Sequence, residues 1–250
     1  MRTFSCAVLL LLAGCAPALP AQPLPPPPRA FSYHNQTPLL DLTYTYSAEA
    51  AAIPALVARF TAEMRQRQAE LVKTSTLEKA FRDKKGYPFN RYSSTTAWET
   101  AGRSERLLSL SGRWSEFTGG AHGNHGTRAL LWDRASGSAR TIAALFSSVS
   151  DSTQLLAAPW CAALDNQRKV KRQGEALGSA FSECPKLADV ALVPTDTDRD
   201  GRFEQVTITA DPYVAGPYAE GSYEVGLAVT PAFVAALKPE YRASFEAQPQ

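Results

Sequence analysis

Apolar and polar positions alternate early in the chain. Leu40, Leu42, Tyr44 and Tyr46 alternate with polar or smaller neighbours, the pattern of a half-buried strand. Ile53, Leu56, Val57, Phe60 and Met64 then recur at helical spacing, predicting one apolar helix face with Pro54 in the first turn. That face runs through Leu71 towards Phe81, and Gly86-Tyr87-Pro88 ends it. Strand-like segments follow at 92–100, at Leu108, Leu110, Gly112 and Trp114, and at Leu130 and Trp132, with 133–137 as a turn. Residues 141–146 and 152–170 read as helical, and 190–193, 203–210 and 223–229 as strands. Thr230 and Pro231 are the expected N-cap and first residue of a short helix through Leu237. Helices and strands mix without a regular βαβ rhythm. The expected class is therefore α+β, antiparallel sheets packed with a few helices in two intimately associated halves that meet near Gly126.

The N-terminus follows different rules. Arg2 and the apolar run from Cys6 to Leu12 are too short for a mature membrane span and read as a signal-peptide core. The run ends in Leu12-Ala13-Gly14-Cys15, similar to the lipobox of bacterial lipoproteins, which predicts cleavage before Cys15 and lipidation of its thiol. The competing reading is an ordinary secretory signal cut after Ala16. Ala16 in place of Asp after the cysteine resembles sorting to the outer membrane, so an exported protein anchored there and facing the periplasm is expected. The prolines from Ala16 to Ala30 favour an extended tether over a ligand for aromatic grooves.

Charge and cysteine count narrow the classes. With 26 Lys and Arg against 24 Asp and Glu, the chain lacks the basic excess of a nucleic-acid binder. A monomer is expected. Once Cys6 and Cys15 are set aside, Cys161 and Cys184 form an even pair in an oxidising compartment. One disulfide is the expected outcome, against a metal-ligand or catalytic-thiol role that lacks nearby histidines or a local base.

Three segments carry candidate chemistry. In Asp196-Thr197-Asp198-Arg199-Asp200-Gly201-Arg202-Phe203-Glu204, alternate carboxylates followed by glycine match the first half of a calcium loop, with the Arg202 carbonyl and Glu204 as further oxygens. Thr207 stands where an EF-hand has its bidentate Glu, so the segment reads either as a calcium site that braces the fold or as a solvated acidic hairpin. In Thr118–Gly126, His122 and His125 have spacing for a shared metal, while four glycines argue for a tight turn; Asn124 lies between the histidines. In Asp211–Gly221, Tyr213, Tyr218 and Glu220 form either a recognition surface or caps on the core. There is no GxSxG, GxxxxGK[ST] or GxGxxG motif.

Phe117-Thr118-Gly119-Gly120-Ala121-His122-Gly123-Asn124 resembles the extracellular region shared by RsiV-type anti-sigma factors and the N-terminal part of PdaC-type deacetylases. Asp211-Pro212-Tyr213-Val214-Ala215-Gly216-Pro217-Tyr218-Ala219-Glu220-Gly221 resembles the signature of the RsiV-type C-terminal module. The resemblance covers about residues 35–240 and implies a PdaC-like half at 35–126 and an RsiV-like half at 127–240, while the N-terminal pattern predicts a signal peptide at 1–14 and a lipidated Cys15 with its tether at 15–34, and 241–250 is left as a tail. It carries over no catalytic residue, because deacetylation in that family belongs to a separate metal-binding domain. A non-enzymatic envelope lipoprotein is expected, binding a cell-wall-associated partner: a lysozyme-like hydrolase or a peptidoglycan fragment. The alternatives are a peptidoglycan-directed hydrolase or deacylase using His122, His125 or Glu220, and a purely structural lipoprotein.

Overall fold

The computed structural model describes residues 27–175 and 181–248. The expected signal peptide, Cys15 and the tether up to residue 26 lie outside them. Strands β1 (Phe31–Gln36) and β2 (Leu40–Tyr46) form an antiparallel hairpin, and alternate residues of β2 are buried. The tether expected to reach His34 therefore gives way to the sheet at Phe31. A short α1 (Ala48–Ala51), capped by Ser47, leads into α2 (Pro54–Lys85). Pro54 sits at the helix start, where its missing N–H leaves no bond unmade. Gly86 closes the helix at φ 71°, a left-handed conformation that costs glycine little.

Helix α2 carries the chain over the sheet to β3 (Tyr92–Arg103), which pairs parallel with β2. Strands β4 (Leu107–Phe117), β5 (Asn124–Asp133) and β6 (Ser138–Arg140) follow as antiparallel neighbours, so the six strands lie in chain order. The long crossover makes this six-stranded sheet mixed, with β2 and β3 its parallel pair, and the class is α+β as expected. Tyr44, Phe60, Trp98, Leu108, Leu110 and Leu130 fill the core between α2 and the sheet. The helix reaches as far as the spacing predicts, but its apolar stripe does not stay covered. Leu77 and Phe81 are 64% and 53% exposed.

The second half places α3 (Val149–Lys171) over a three-stranded antiparallel sheet of β7 (Ala191–Thr195), β8 (Gln205–Ala210) and β9 (Tyr223–Ala228). Val206, Ile208 and Ala210 share the buried face, as their alternation predicts, in one core cluster with Leu156, Trp160 and Leu164 of α3. The Cys161–Cys184 disulfide is present and ties α3 to the chain entering β7. Thr230 caps α4 (Pro231–Ala236), accepting the Phe233 N–H at 3.1 Å. A last turn, α5 (Pro239–Arg242), brings Tyr241 and Phe245 into the core, so the expected tail from 241 is part of the fold.

The boundary near Gly126 falls inside β5. The sheet continues across it to Arg140, and Leu107 and Leu131 belong to the second core. At the seam Asp196 donates its N–H to the Ala101 carbonyl at 3.1 Å. A Cβ on Gly102 would lie 2.6 Å from the Asp196 Cβ, so the close approach of the two sheets requires glycine there.

Candidate functional site

The two glycine-rich segments, far apart in sequence, meet in space. The turn from β4 to β5 presents His122, Asn124 and His125 as exposed side chains. The loop after β8 lays Tyr218 against them. Its ring stacks on His122 at 4.2 Å, meets His125 edge-on at 5.8 Å and lies 5.7 Å from Tyr213. The Tyr218 hydroxyl donates to the Gly123 carbonyl at 2.8 Å, which fixes one loop on the other. Tyr213 is 55% exposed at φ 71°, a left-handed backbone that an aromatic residue adopts only when its surroundings impose it. The imposing bonds are local: Tyr213 N–H to the Gly216 carbonyl at 2.9 Å and Val214 N–H to the Asp211 carbonyl at 3.0 Å.

Asp211 anchors the junction. Its Oδ2 accepts the Thr127 N–H at 2.8 Å. Its Oδ1 is buried without a hydrogen-bond partner among the described residues. Burial pushes the Asp211 carboxyl above its ordinary range, against the Thr127 hydrogen bonds and the charge of nearby His125. Gly126 makes this contact sterically feasible: a Cβ there would sit 2.4 Å from Asp211 Oδ2 and 2.8 Å from Trp114 Nε1. Trp114 in turn lines a groove of about 330 Å³ beneath α2. There Glu63 pairs with Arg128 at 2.6 Å, and Arg67 pairs with Glu116 and, at 3.1 Å, with Glu70.

Helix α3 holds the second loop from behind. Arg168, 4% exposed, gives Nε and Nη2 to the Ala215 carbonyl at 3.1 and 2.9 Å and reaches the Glu183 carbonyl at 2.9 Å. Lys171 donates to the carbonyls of Glu220 and Ser222 at 2.8 and 2.7 Å. Arg172 pairs with the Glu220 carboxylate at 2.9 and 3.1 Å. That carboxylate also accepts the Tyr223 hydroxyl. The Arg172 hydrogen bond is the main force holding the Glu220 carboxyl below its usual range, while burial and Glu220 push the Tyr223 hydroxyl up to about 12.

The candidate residues thus divide. His122, Asn124, His125 and Tyr213 are exposed, and half-buried Tyr218 joins them into one face. Glu220 turns inward as a strut that shapes the loop. The two histidines face Tyr218 and no third metal-ligating side chain joins them; among the described residues the only such trio, with ligand atoms within 4.8 Å of one another, is Asp196, Asp198 and Glu204. Asp211 is visible only as the first residue of its loop, and Trp114 and the basic residues of α3 escape a reading for motifs. The signal for the last group is spacing, since Arg168, Lys171 and Arg172 fall on one helix face.

The acidic loop is a second, separate cluster. Asp196 accepts the N–H groups of Arg199 and Gly201 at 2.7 and 3.2 Å, and Glu204 accepts both the N–H and the hydroxyl of Thr197. Burial first, then the neighbouring charges of Glu204 and Asp200, push the Asp196 carboxyl upward against its two N–H donors. Asp200 is outside the trio but lines the same cleft of about 240 Å³. Arg202 turns its guanidinium to Glu246 at 3.1 Å. Oxygen ligands of this kind suit a hard cation such as calcium.

Residues 33–125 match the family model described as deacetylase PdaC, so this part of the chain is a PdaC-like domain. Among curated proteins no relative matches. Among solved structures, a DUF3298 family protein from Pseudomonas aeruginosa PAO1 is similar with a TM-score of 0.54 at 16% identity, over 89% of this chain and 99% of its own. A DUF3298 family member from Bacteroides fragilis NCTC 9343 gives a TM-score of 0.49 at 16% identity, over 80% and 88%. The first of these likenesses extends to the fold of both halves.

Proposed function

We propose, on the premise of a PdaC-like domain at residues 33–125, that the chain is a non-enzymatic envelope lipoprotein binding a cell-wall-associated partner through the two joined loops. Its Cys15 would carry the anchor in the outer membrane, with the domain facing the periplasm. The observation that carries the reading is the ring series His122, Tyr218 and Tyr213, exposed at one end and fixed from behind by α3. Aromatic faces take up flat, weakly polar surfaces, and imidazole and amide edges supply directed hydrogen bonds. A peptidoglycan glycan, with its ring faces, hydroxyls and acetamido groups, suits that combination. A basic lysozyme-like hydrolase would want an acidic face, whereas the groove carboxylates Glu63, Glu70 and Glu116 are already paired with arginines. Calcium in the Asp196, Asp198 and Glu204 cluster would brace the seam near β3, remote from this chemistry.

One observation favours a second reading. Asp211, with its partnerless Oδ1 beside His125, is the carboxylate an acyl-removing hydrolase would use to orient an imidazole, in keeping with the deacetylase of the matched family's name. Co-sedimentation with purified sacculi tests both. Retention of the chain, lost in the Tyr213→Ala/His122→Ala double variant and without release of acetate, is the expected result. Acetate release that depends on Asp211 would move the conclusion to the enzyme. Binding to neither sacculi nor lysozyme would end the recognition reading.

A further inference from the structure

At the seam between the halves, away from the aromatic face, lies an apolar pocket of about 380 Å³. Its walls come from β5, the single turn at Ile142–Leu145, α3 and the chain approaching β7. Leu131, Ile142 and Leu156 are buried core residues that also face it, while Leu187, Val190 and Leu192 are only partly covered. The polar residues that line it are mostly self-satisfied. Ser152 donates to the Val149 carbonyl at 2.8 Å, and Thr141 accepts the Ala144 N–H at 3.3 Å.

The exception is Arg140, the sole charged residue of the lining. Among the described residues its acidic partner is Asp133, at 3.9 Å, near the limit of an ion pair. Asp133 is already served by Arg106 and the Tyr241 hydroxyl, each at 3.1 Å, and by the Ala135 N–H at 3.0 Å. Its carboxyl is raised by burial but held below the ordinary range overall by these partners. Arg140, 40% exposed, is thus left with a weak internal partner at the edge of an apolar cavity. The volume falls in the range of about 300 to 1,000 Å³ typical of small-molecule sites, which pair an apolar wall with a few polar groups.

We propose that this pocket binds the alkyl chain of a linear fatty-acid anion, with the carboxylate on Arg140. A guanidinium offers a two-pronged donor to a planar carboxylate, and the leucine, isoleucine and valine walls take the chain. Affinity should rise about fourfold per added methylene until the pocket is full.

The test is calorimetric titration of the full chain with octanoate, decanoate and laurate, with decanol and decyl phosphate as controls. Saturable one-to-one binding is expected, tightening by roughly fifteenfold per two carbons over the first steps. Arg140→Gln should weaken decanoate about tenfold and leave decanol unchanged. Ala188→Trp, at an exposed position of the lining, should abolish both without altering the thermal transition. Binding that fails to saturate, or that Ala188→Trp leaves intact, would overturn the proposal. Tighter binding of decyl phosphate than of decanoate would overturn the carboxylate class.

Discussion

The loop at 211–221 and the loop at 196–204 are both short, glycine-containing and acidic, yet they are held by opposite means. The first is fixed by basic side chains of α3 that reach its carbonyls and the inward Glu220 carboxylate. Its aromatic side chains are left to face outward. The second is fixed by its own carboxylates, which accept its own N–H groups and crowd together. Preorganisation from outside lets a loop spend its side chains on recognition. A loop that organises itself with its carboxylates has charge repulsion that a cation would relieve.

The sharpest way to break the contrast is Arg168→Met, which removes a buried cation and its hydrogen bonds to the Glu183 and Ala215 carbonyls, leaving the latter only its 3.3 Å bond from Arg172. It should cost about 3 kcal/mol in denaturant unfolding, with no comparable effect from removing Arg199 at the acidic loop. Calcium should act in the other direction and only on the acidic loop. At thirtyfold excess over its Kd it should raise stability by about 2 kcal/mol, an increment absent from Asp196→Asn.

Glu220→Gln should cost about 1.5 kcal/mol at neutral pH. Because the folded Glu220 carboxyl is held low, its contribution is present above the ordinary carboxylate value and lost as pH falls through the lowered one; the variant should lack that acid-side loss. Tyr213→Gly should relax the left-handed backbone and stabilise the fold by about 1 kcal/mol while weakening binding. The smallest effect is the opposite of Glu220. The raised Asp211 carboxyl favours the fold below its ordinary value and loses that advantage as pH rises through the folded one, so Asp211→Asn should stabilise by a few tenths of a kcal/mol at neutral pH, keeping the bond to Thr127.

Much of this arrangement was legible in the sequence, for identifiable reasons. Alternation at Leu40–Tyr46 and Val206–Ala210 located buried strand faces, and helical spacing from Leu56 to Leu71, with Gly86 at its end, located α2. The even pair Cys161 and Cys184 pointed to the disulfide. What periodicity does not encode is pairing. The parallel registration of β2 with β3 depends on where a 32-residue helix delivers the chain, and the sheet's continuation past Gly126 depends on strand partners. Likewise Phe31–His34 looked like tether and Tyr241–Phe245 like tail, because each is held by distant partners rather than by a local pattern. At the site, the histidines and tyrosines were visible as motifs. Their mutual stacking and the inward turn of Glu220 were not, since both follow from long-range contacts with Gly123 and α3.

The central claim is that the exposed ring face is the binding surface. Calorimetric titration of the chain and of Tyr213→Ala with soluble peptidoglycan fragments tests it most directly. The account predicts saturable binding that weakens at least tenfold in the variant, with the fold intact by its thermal transition. Equal affinity in both proteins would contradict it.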